Sequence, residues 1–151
     1  MSDDKFDFED LKVYQKSLDY VDFVYEITKE FPKEEIFSLA NQFRRASVSI
    51  CLNIAEGSGG SKAEFNRFLK ISRRSVRECV AVIEISYRQA FVSSEVREQS
   101  RKLCIELSKT LSGLMKSLKN QETGNISEHQ TPNFFFRTLQ AHTYSLRNFP
   151  V

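Results

Sequence analysis

RRASVSICLNIAEGSGGSKAE, residues 44–64, joins two strong helical patterns through the chain's only glycine cluster. Before and within it, Ile36, Leu39, Ala40, Phe43, Ala46, Ser47, Ile50 and Ile54 recur at three- and four-residue steps, the spacing of one helix face. Asn53 falls in the same seam, where a polar side chain needs a partner. Gly57 is expected to end this helix in the left-handed conformation that residues with side chains adopt reluctantly. After Gly57-Ser58-Gly59-Gly60, the sequence Ser61-Lys62-Ala63-Glu64 has the reciprocal spacing of a capping box, which starts a new helix. The stretch reads as a corner between helices. It is not a P-loop, because the GK[ST] element is absent.

Downstream, Phe65, Phe68, Leu69, Ser72, Val76, Cys79, Ile83, Ser86 and Ala90 predict the seam of a third helix. Between Val76 and Tyr87 apolar residues occupy most of its sides, so this helix is expected to meet an oligomer partner as well as its own bundle. A second strip on helix two, Phe37, Val48, Cys51, Leu52 and Ala55, points the same way. The expected oligomer interface is Phe37, Val48, Leu52, Val82 and Ile85.

Upstream, Asp7 is placed to cap a first helix whose seam is Leu11, Tyr14, Leu18, Val21, Tyr25 and Thr28, with Phe31-Pro32 as its end. Asp19, Asp22, Glu26 and Glu30 flank that seam as an acidic ridge. Helix two then begins near Lys33–Ile36. Ser93 or Ser94 caps a fourth helix with the seam Val96, Leu103, Leu107, Leu111, Leu114 and Leu118, weakened by an internal Gly113. The fold class predicted is all-α, an antiparallel up-down-up-down four-helix bundle over residues 1–120. Residues 121–151 are expected to form a polar linker and an aromatic-rich tail around Phe134, Phe135 and Phe136, either docked or disordered.

A chain of 151 residues with 40% hydrophobic and 28% charged residues is long enough to bury one core without disulfides or metals. Its prolines, at 32, 132 and 150, leave the whole interval between free for helix. The acidic amino terminus lacks the pattern of a signal peptide, and no run approaches the roughly 18 to 20 apolar residues of a membrane span. A cytoplasmic location and no membrane partner are expected. Cys51, Cys79 and Cys104 are odd in number and widely spaced, which favours buried thiols over a disulfide or metal framework.

Net charge is only +2, but it is unevenly placed. Residues 1–35 hold five Lys/Arg against eleven Asp/Glu, whereas residues 41–80 hold eight against three. Such asymmetry creates a local potential that steers partners. On helix three, Arg67, Lys70, Arg74 and Arg77 step by three and four opposite the seam, and Arg73, Lys62, Arg44 and Arg45 extend this basic stripe. Arginine suits phosphate because its planar fork meets two oxygens at once. Two roles fit the stripe: nucleic-acid binding through phosphates, or an ordinary exposed face paired with helix-one acids of another subunit. Asn53, Glu56 and Glu78, with Arg44 or Arg45, are expected to form a structural polar network. No catalytic constellation, cofactor motif or metal-ligand spacing is legible, and both histidines, His129 and His142, lie in the tail. A non-catalytic protein is expected.

Three segments carry a family resemblance: Phe8-Glu9-Asp10-Leu11-Lys12-Val13-Tyr14-Gln15-Lys16, Gln42-Phe43-Arg44-Arg45-Ala46 and Asn53-Ile54-Ala55-Glu56-Gly57. Together they resemble the 23S ribosomal RNA intervening-sequence proteins, a bacterial family of four-helix bundles, from about Phe8 to the end of helix four. The accessory variability proteins of diversity-generating retroelements look like members of the same group. The resemblance implies a homopentameric ring that associates with nucleic acid and with a reverse transcriptase through basic surfaces. Ser72-Arg73-Arg74-Ser75 departs from the small-glycine-serine pattern common in these relatives, and the Phe-rich tail has no counterpart among them. A scaffold ring without nucleic acid is the alternative.

Overall fold

In the computed structural model, four α-helices carry the fold: α1 (Lys12–Thr28), α2 (Leu39–Ser58), α3 (Lys62–Arg88) and α4 (Ser94–Ser127). The structure describes residues 5–127, and side chains only as far as Gln121. Among the described residues there is no β-strand. The chain divides into two compact units, Met1–Lys119 and Asn120–Val151. The first is the bundle. Of the second, the described part is the continuation of α4 to Ser127, so the stretch expected as a linker starts as helix. The aromatic tail and both histidines lie outside the described residues.

Contacts between helices fix α2 antiparallel to α3 and place the start of α4 beside the end of α3. Ser75 meets Ser49 while Ser72 meets Ile50 across α2 and α3, and Arg97 of α4 meets Glu84 near the end of α3. The ring of helices closes through α1 and α4, where Tyr20 bonds Ser100 at 2.9 Å and Lys16 pairs with Glu106. The core is one continuous cluster. Tyr20, Phe43, Ile50, Ile54, Leu69, Ile83, Leu107 and Leu111 are among its fully buried side chains, each stabilising by about 1.5–3 kcal/mol relative to exposure.

The seams of α2 and α3 follow the sequence closely. In α4, Leu107 and Leu111 are buried as expected, joined by Ser100, Cys104 and Met115, while Val96, Leu103, Leu114 and Leu118 are partly buried. The seam of α1 differs more. Its buried residues are Val13, Ser17, Tyr20, Val24 and Thr28, whereas Leu18 and Tyr25 face outward. The buried set contains two hydroxyls that satisfy themselves locally: Ser17 donates to the Tyr14 carbonyl at 2.6 Å and Thr28 to the Val24 carbonyl at 2.7 Å. Such back-bonding removes the cost of burying them. Leu11 and Tyr14 of the expected stripe still pack against the core edge, and Leu18 and Tyr25 remain outside.

Helix ends differ from expectation in three places. Asp7–Asp10 is a separate 3-10 turn ahead of α1, and Lys33–Glu35 another ahead of α2, whose true start is Leu39. Ser38 has φ −115° and ψ −99°, outside the helical region, so the chain breaks there. Gly57 is not a left-handed cap. It is buried within α2, and no glycine among the described residues has positive φ. The left-handed residue is Ala90, φ 58°, just beyond α3. There the Phe91 amide donates to Ser86 and the Ala90 amide to Tyr87, the paired bonds of a Schellman end. Ser61 and Glu64 do form the expected capping box, and the Ser93 hydroxyl accepts from the Val96 amide to open α4.

Gly57 is needed for another reason. A Cβ there would lie 2.5 Å from Cβ of Phe68 and 3.0 Å from the Phe65 ring, so only hydrogen fits between α2 and α3. Gly113, by contrast, is exposed, with nothing within 4 Å of an added Cβ. The same substitution is therefore expected to act in opposite directions. Gly57→Ala should destabilise by about 1–3 kcal/mol through overpacking, and Gly113→Ala should stabilise by about 0.5–1 kcal/mol through helix propensity. Urea unfolding followed by circular dichroism checks both signs.

Candidate nucleic-acid interface

The capping box at Ser61 sets the rotation of α3 at its first turn, and the apolar seam holds it along the next six. Phe65, Leu69, Ser72, Val76, Cys79 and Ile83 turn inward, which leaves Lys62, Arg67, Lys70, Arg73, Arg74 and Arg77 exposed. None of these six cations forms an ion pair with a described residue; the Arg67 guanidinium lies 5.1 Å from the Phe68 ring centroid. Two carboxylates of the same helix bond to neighbouring helices. Glu78 accepts a bond from Gln42, and Glu84 accepts from Arg97 at 2.9 Å. The side of α3 away from the core is thus predominantly basic, with Glu64 beside Arg67 at its first turn.

Arg44 and Arg45 part company. Arg45 is exposed, but Arg44 is half-buried and committed to α1. Its Nε donates to Thr28 Oγ1 at 2.8 Å and its guanidinium sits 5.1 Å from the Tyr25 ring. Arg44 is an internal clamp between α1 and α2.

The expected polar network is not assembled from its three acids and amides. Asn53 donates to the Ser49 carbonyl at 2.7 Å and to the Ser49 hydroxyl at 3.1 Å. Ser75 donates to that same hydroxyl at 3.0 Å, and Ser72 to the Ile50 carbonyl at 3.1 Å. Glu56 is exposed, and Glu78 belongs to the Gln42 contact. Serines rather than charges stitch α2 to α3. Ser72, placed in the apolar seam of α3, was the available signal, since a small hydroxyl among large apolar residues is useful only where backbones approach; Ser49 and Ser75 lay outside the expected seams.

Of the residues expected at an oligomer interface, Phe37 is 90% exposed, Leu52 61% and Ile85 46%, while Val48 is half-buried. Val82 does not belong with them. It is 4% exposed and packs in the core, because it follows Cys79 by one helical step on the inward side. Leu18 and Tyr25 of α1 add apolar surface that the misplaced seam had assigned to the interior.

All three cysteines are free and buried. Burial pushes the Cys51 and Cys79 thiols up and the Cys104 thiol to about 11, so they remain protonated and poorly nucleophilic. Burial likewise raises Tyr20, whose phenol stays neutral and bonded to Ser100.

Beside the α3 stripe the structure brings together residues that reading α3 alone had missed. Arg73, Ser112, Met115, Lys116 and Lys119 line a cleft of about 250 Å³ between α3 and α4. Lys116 lies four residues beyond Ser112 and three before Lys119, so that side of α4 presents cations toward Arg73.

These features define a small antiparallel four-helix-bundle protein with a one-sided basic helix. Residues 9–113 match the family described as 23S rRNA-intervening sequence protein, and the chain belongs to that family. A similar solved structure is a protein of unknown function from the S23 ribosomal protein family of Bacteroides thetaiotaomicron. It shares 26% identity, with 69% of this chain and 95% of that chain covered and a TM-score of 0.64. No curated protein matches the sequence. No helix among the described residues is long and apolar enough to cross a membrane.

The division between clamped and unengaged arginines has a direct consequence for stability. Arg44→Ala should cost about 1–2 kcal/mol, since a charge-assisted hydrogen bond and a ring contact are lost at a partly exposed site. Arg74→Ala should stay within about 0.5 kcal/mol, as exposed substitutions usually do. Paired thermal melts distinguish the two, and equal losses would contradict the assignment of Arg44 as a clamp.

Proposed function

We propose that the protein is a non-catalytic, cytoplasmic, self-associating helical bundle that binds the phosphates of RNA or DNA through the exposed basic side of α3. The single observation that carries this reading is the run Arg67, Lys70, Arg74 and Arg77, all exposed and none in an ion pair with a described residue. Contacts of this kind neutralise phosphates without reading bases, so little sequence preference is expected. A nucleic-acid enzyme such as a reverse transcriptase, implied by the family resemblance, would be met through the same face.

Self-association is supported by the apolar side chains left outside the bundle: Leu18 and Tyr25 on α1, Leu52 on α2, Ile85 on α3, and Phe37 before α2. Exposed apolar surface of this extent favours covering by a partner, and a ring of five copies is the form the family resemblance implies. The same side chains favour the second reading, a scaffold ring that engages proteins and not nucleic acid.

Salt dependence separates the two readings. If four cations per chain engage single-stranded nucleic acid, log K against log salt should fall with a slope near −3 per subunit. Replacing Arg67, Lys70, Arg74 and Arg77 with alanine should abolish that binding at low salt while light scattering still gives the same mass. Wild-type protein that ignores oligonucleotides at low salt would leave the scaffold reading alone. For assembly, Leu52→Glu is expected to lower the light-scattering mass from five times 17.5 kDa toward that of a single chain.

A further inference from the structure

Two clefts flank α4, and their charges are arranged differently. The one between α1 and α4, about 90 Å³, is lined by Lys16, Asp19, Leu103, Glu106 and Leu107. Its cation is already neutralised, because Lys16 pairs with Glu106. The cleft between α3 and α4 is larger, about 250 Å³, and holds Arg73, Lys116 and Lys119 with no carboxylate among its lining residues. Neither Arg73 nor Lys116 forms an ion pair with a described residue. Arg73 and Lys116, like charges facing one concavity, repel each other unless an anion sits between them.

The shape and the remaining groups narrow the class of anion. The cleft falls below the roughly 300–1,000 Å³ of pockets that enclose drug-sized ligands, and Met115, 8% exposed, supplies an apolar wall. An apolar wall lowers the local dielectric and strengthens each charge contact. The Ser112 hydroxyl donates to the Ser108 carbonyl at 2.8 Å, so its proton is committed and recognition falls to the cations. Arg73 offers a planar fork suited to two oxygens of one phosphate, and the lysines offer point charges to its neighbours. A single carboxylate held by the Arg73 fork would leave Lys116 unmatched, whereas a string of phosphates presents several charges in succession.

We propose that the α3–α4 cleft of Arg73, Lys116 and Lys119 is an oligophosphate-binding site, taking either consecutive phosphates of a nucleic-acid backbone or a free polyphosphate. The site stands on its own residues and does not require the α3 stripe to bind nucleic acid. Arg73 belongs to it by position, as the stripe cation that lines the cleft.

The test uses the full chain and two probes: inorganic tripolyphosphate by titration calorimetry, and a fluorescent single-stranded U20 RNA by anisotropy across a salt series. Wild type is compared with Lys116→Ala/Lys119→Ala and with the charge-preserving Lys116→Arg, all checked for equal helicity and melting temperature. The double variant should bind tripolyphosphate at least about tenfold more weakly, and Lys116→Arg should retain affinity. If the RNA backbone is the ligand, the double variant should also lose about 1.4 from the salt slope, at about 0.7 per single-strand phosphate contact. Loss confined to tripolyphosphate makes a free polyphosphate the ligand. Wild-type binding of tripolyphosphate but not RNA would defeat nucleic-acid binding by the stripe while leaving the cleft intact. Unchanged binding of both probes by the double variant, or binding of neither by wild type, would overturn the proposal.

Discussion

The close approach of α2 and α3 is the constraint on which the other helices depend. At Gly57 there is room for hydrogen and nothing more beside Phe68 and Phe65, and further along the contact Ser72 and Ser75 bond directly to the backbone and hydroxyl of α2. These bonds have fixed partners, so they set the register of the pair as well as its distance. Dispersion and burial alone would tolerate a slide that kept apolar residues in contact, but hydroxyl bonds of about 3 Å would not. With one side of α3 fixed in this way, its cations have only the solvent side to occupy.

The remaining polar contacts tie the bundle at its other seams. Tyr20 and Ser100 share a hydrogen bond between α1 and α4, buried where no water competes. Arg44 spans from α2 to Thr28 and Tyr25, and Arg97 from α4 to Glu84 and the ring of Tyr87 on α3. Each is a side chain whose long apolar stem covers the core edge while its head finds a partner on the next helix. The bundle is thus held by a packed centre and clamped at its margins.

Much of this architecture was legible in the sequence, for reasons that vary along the chain. The seam of α3 was clear because its charged residues exclude themselves from the interior, leaving apolar residues and small serines inside. In α1 two stripes compete. Leu11, Tyr14, Leu18 and Val21 are the more apolar, yet Val13, Ser17, Tyr20 and Val24 are buried. Ser17 disguised the winning stripe, since its back-bonded hydroxyl counts as polar in a periodicity reading but is cheap to bury. Gly57 misled in a similar way: a glycine next to a turn suggests backbone freedom, whereas here the missing Cβ matters. Ala90, the residue that does adopt positive φ, carries no sequence signal for it.

The basic residues show why the candidate site was only half legible. From the sequence, Arg44 and Arg74 are equivalent members of one patch, because spacing records which face a residue occupies and not which neighbour it meets. The fold separates them. Lys16, Arg44, Arg97 and Arg101 meet carboxylates, hydroxyls or rings on adjacent helices, and their charge is spent within the bundle. Lys70, Arg74 and Arg77 have no such neighbour among the described residues, and Arg73 faces Lys116 of α4 across a cleft. Tertiary contacts therefore convert a one-dimensional charge pattern into two populations. The population left without counter-charge raises the free energy of the isolated bundle through self-repulsion, and that energy is what a bound polyanion would recover.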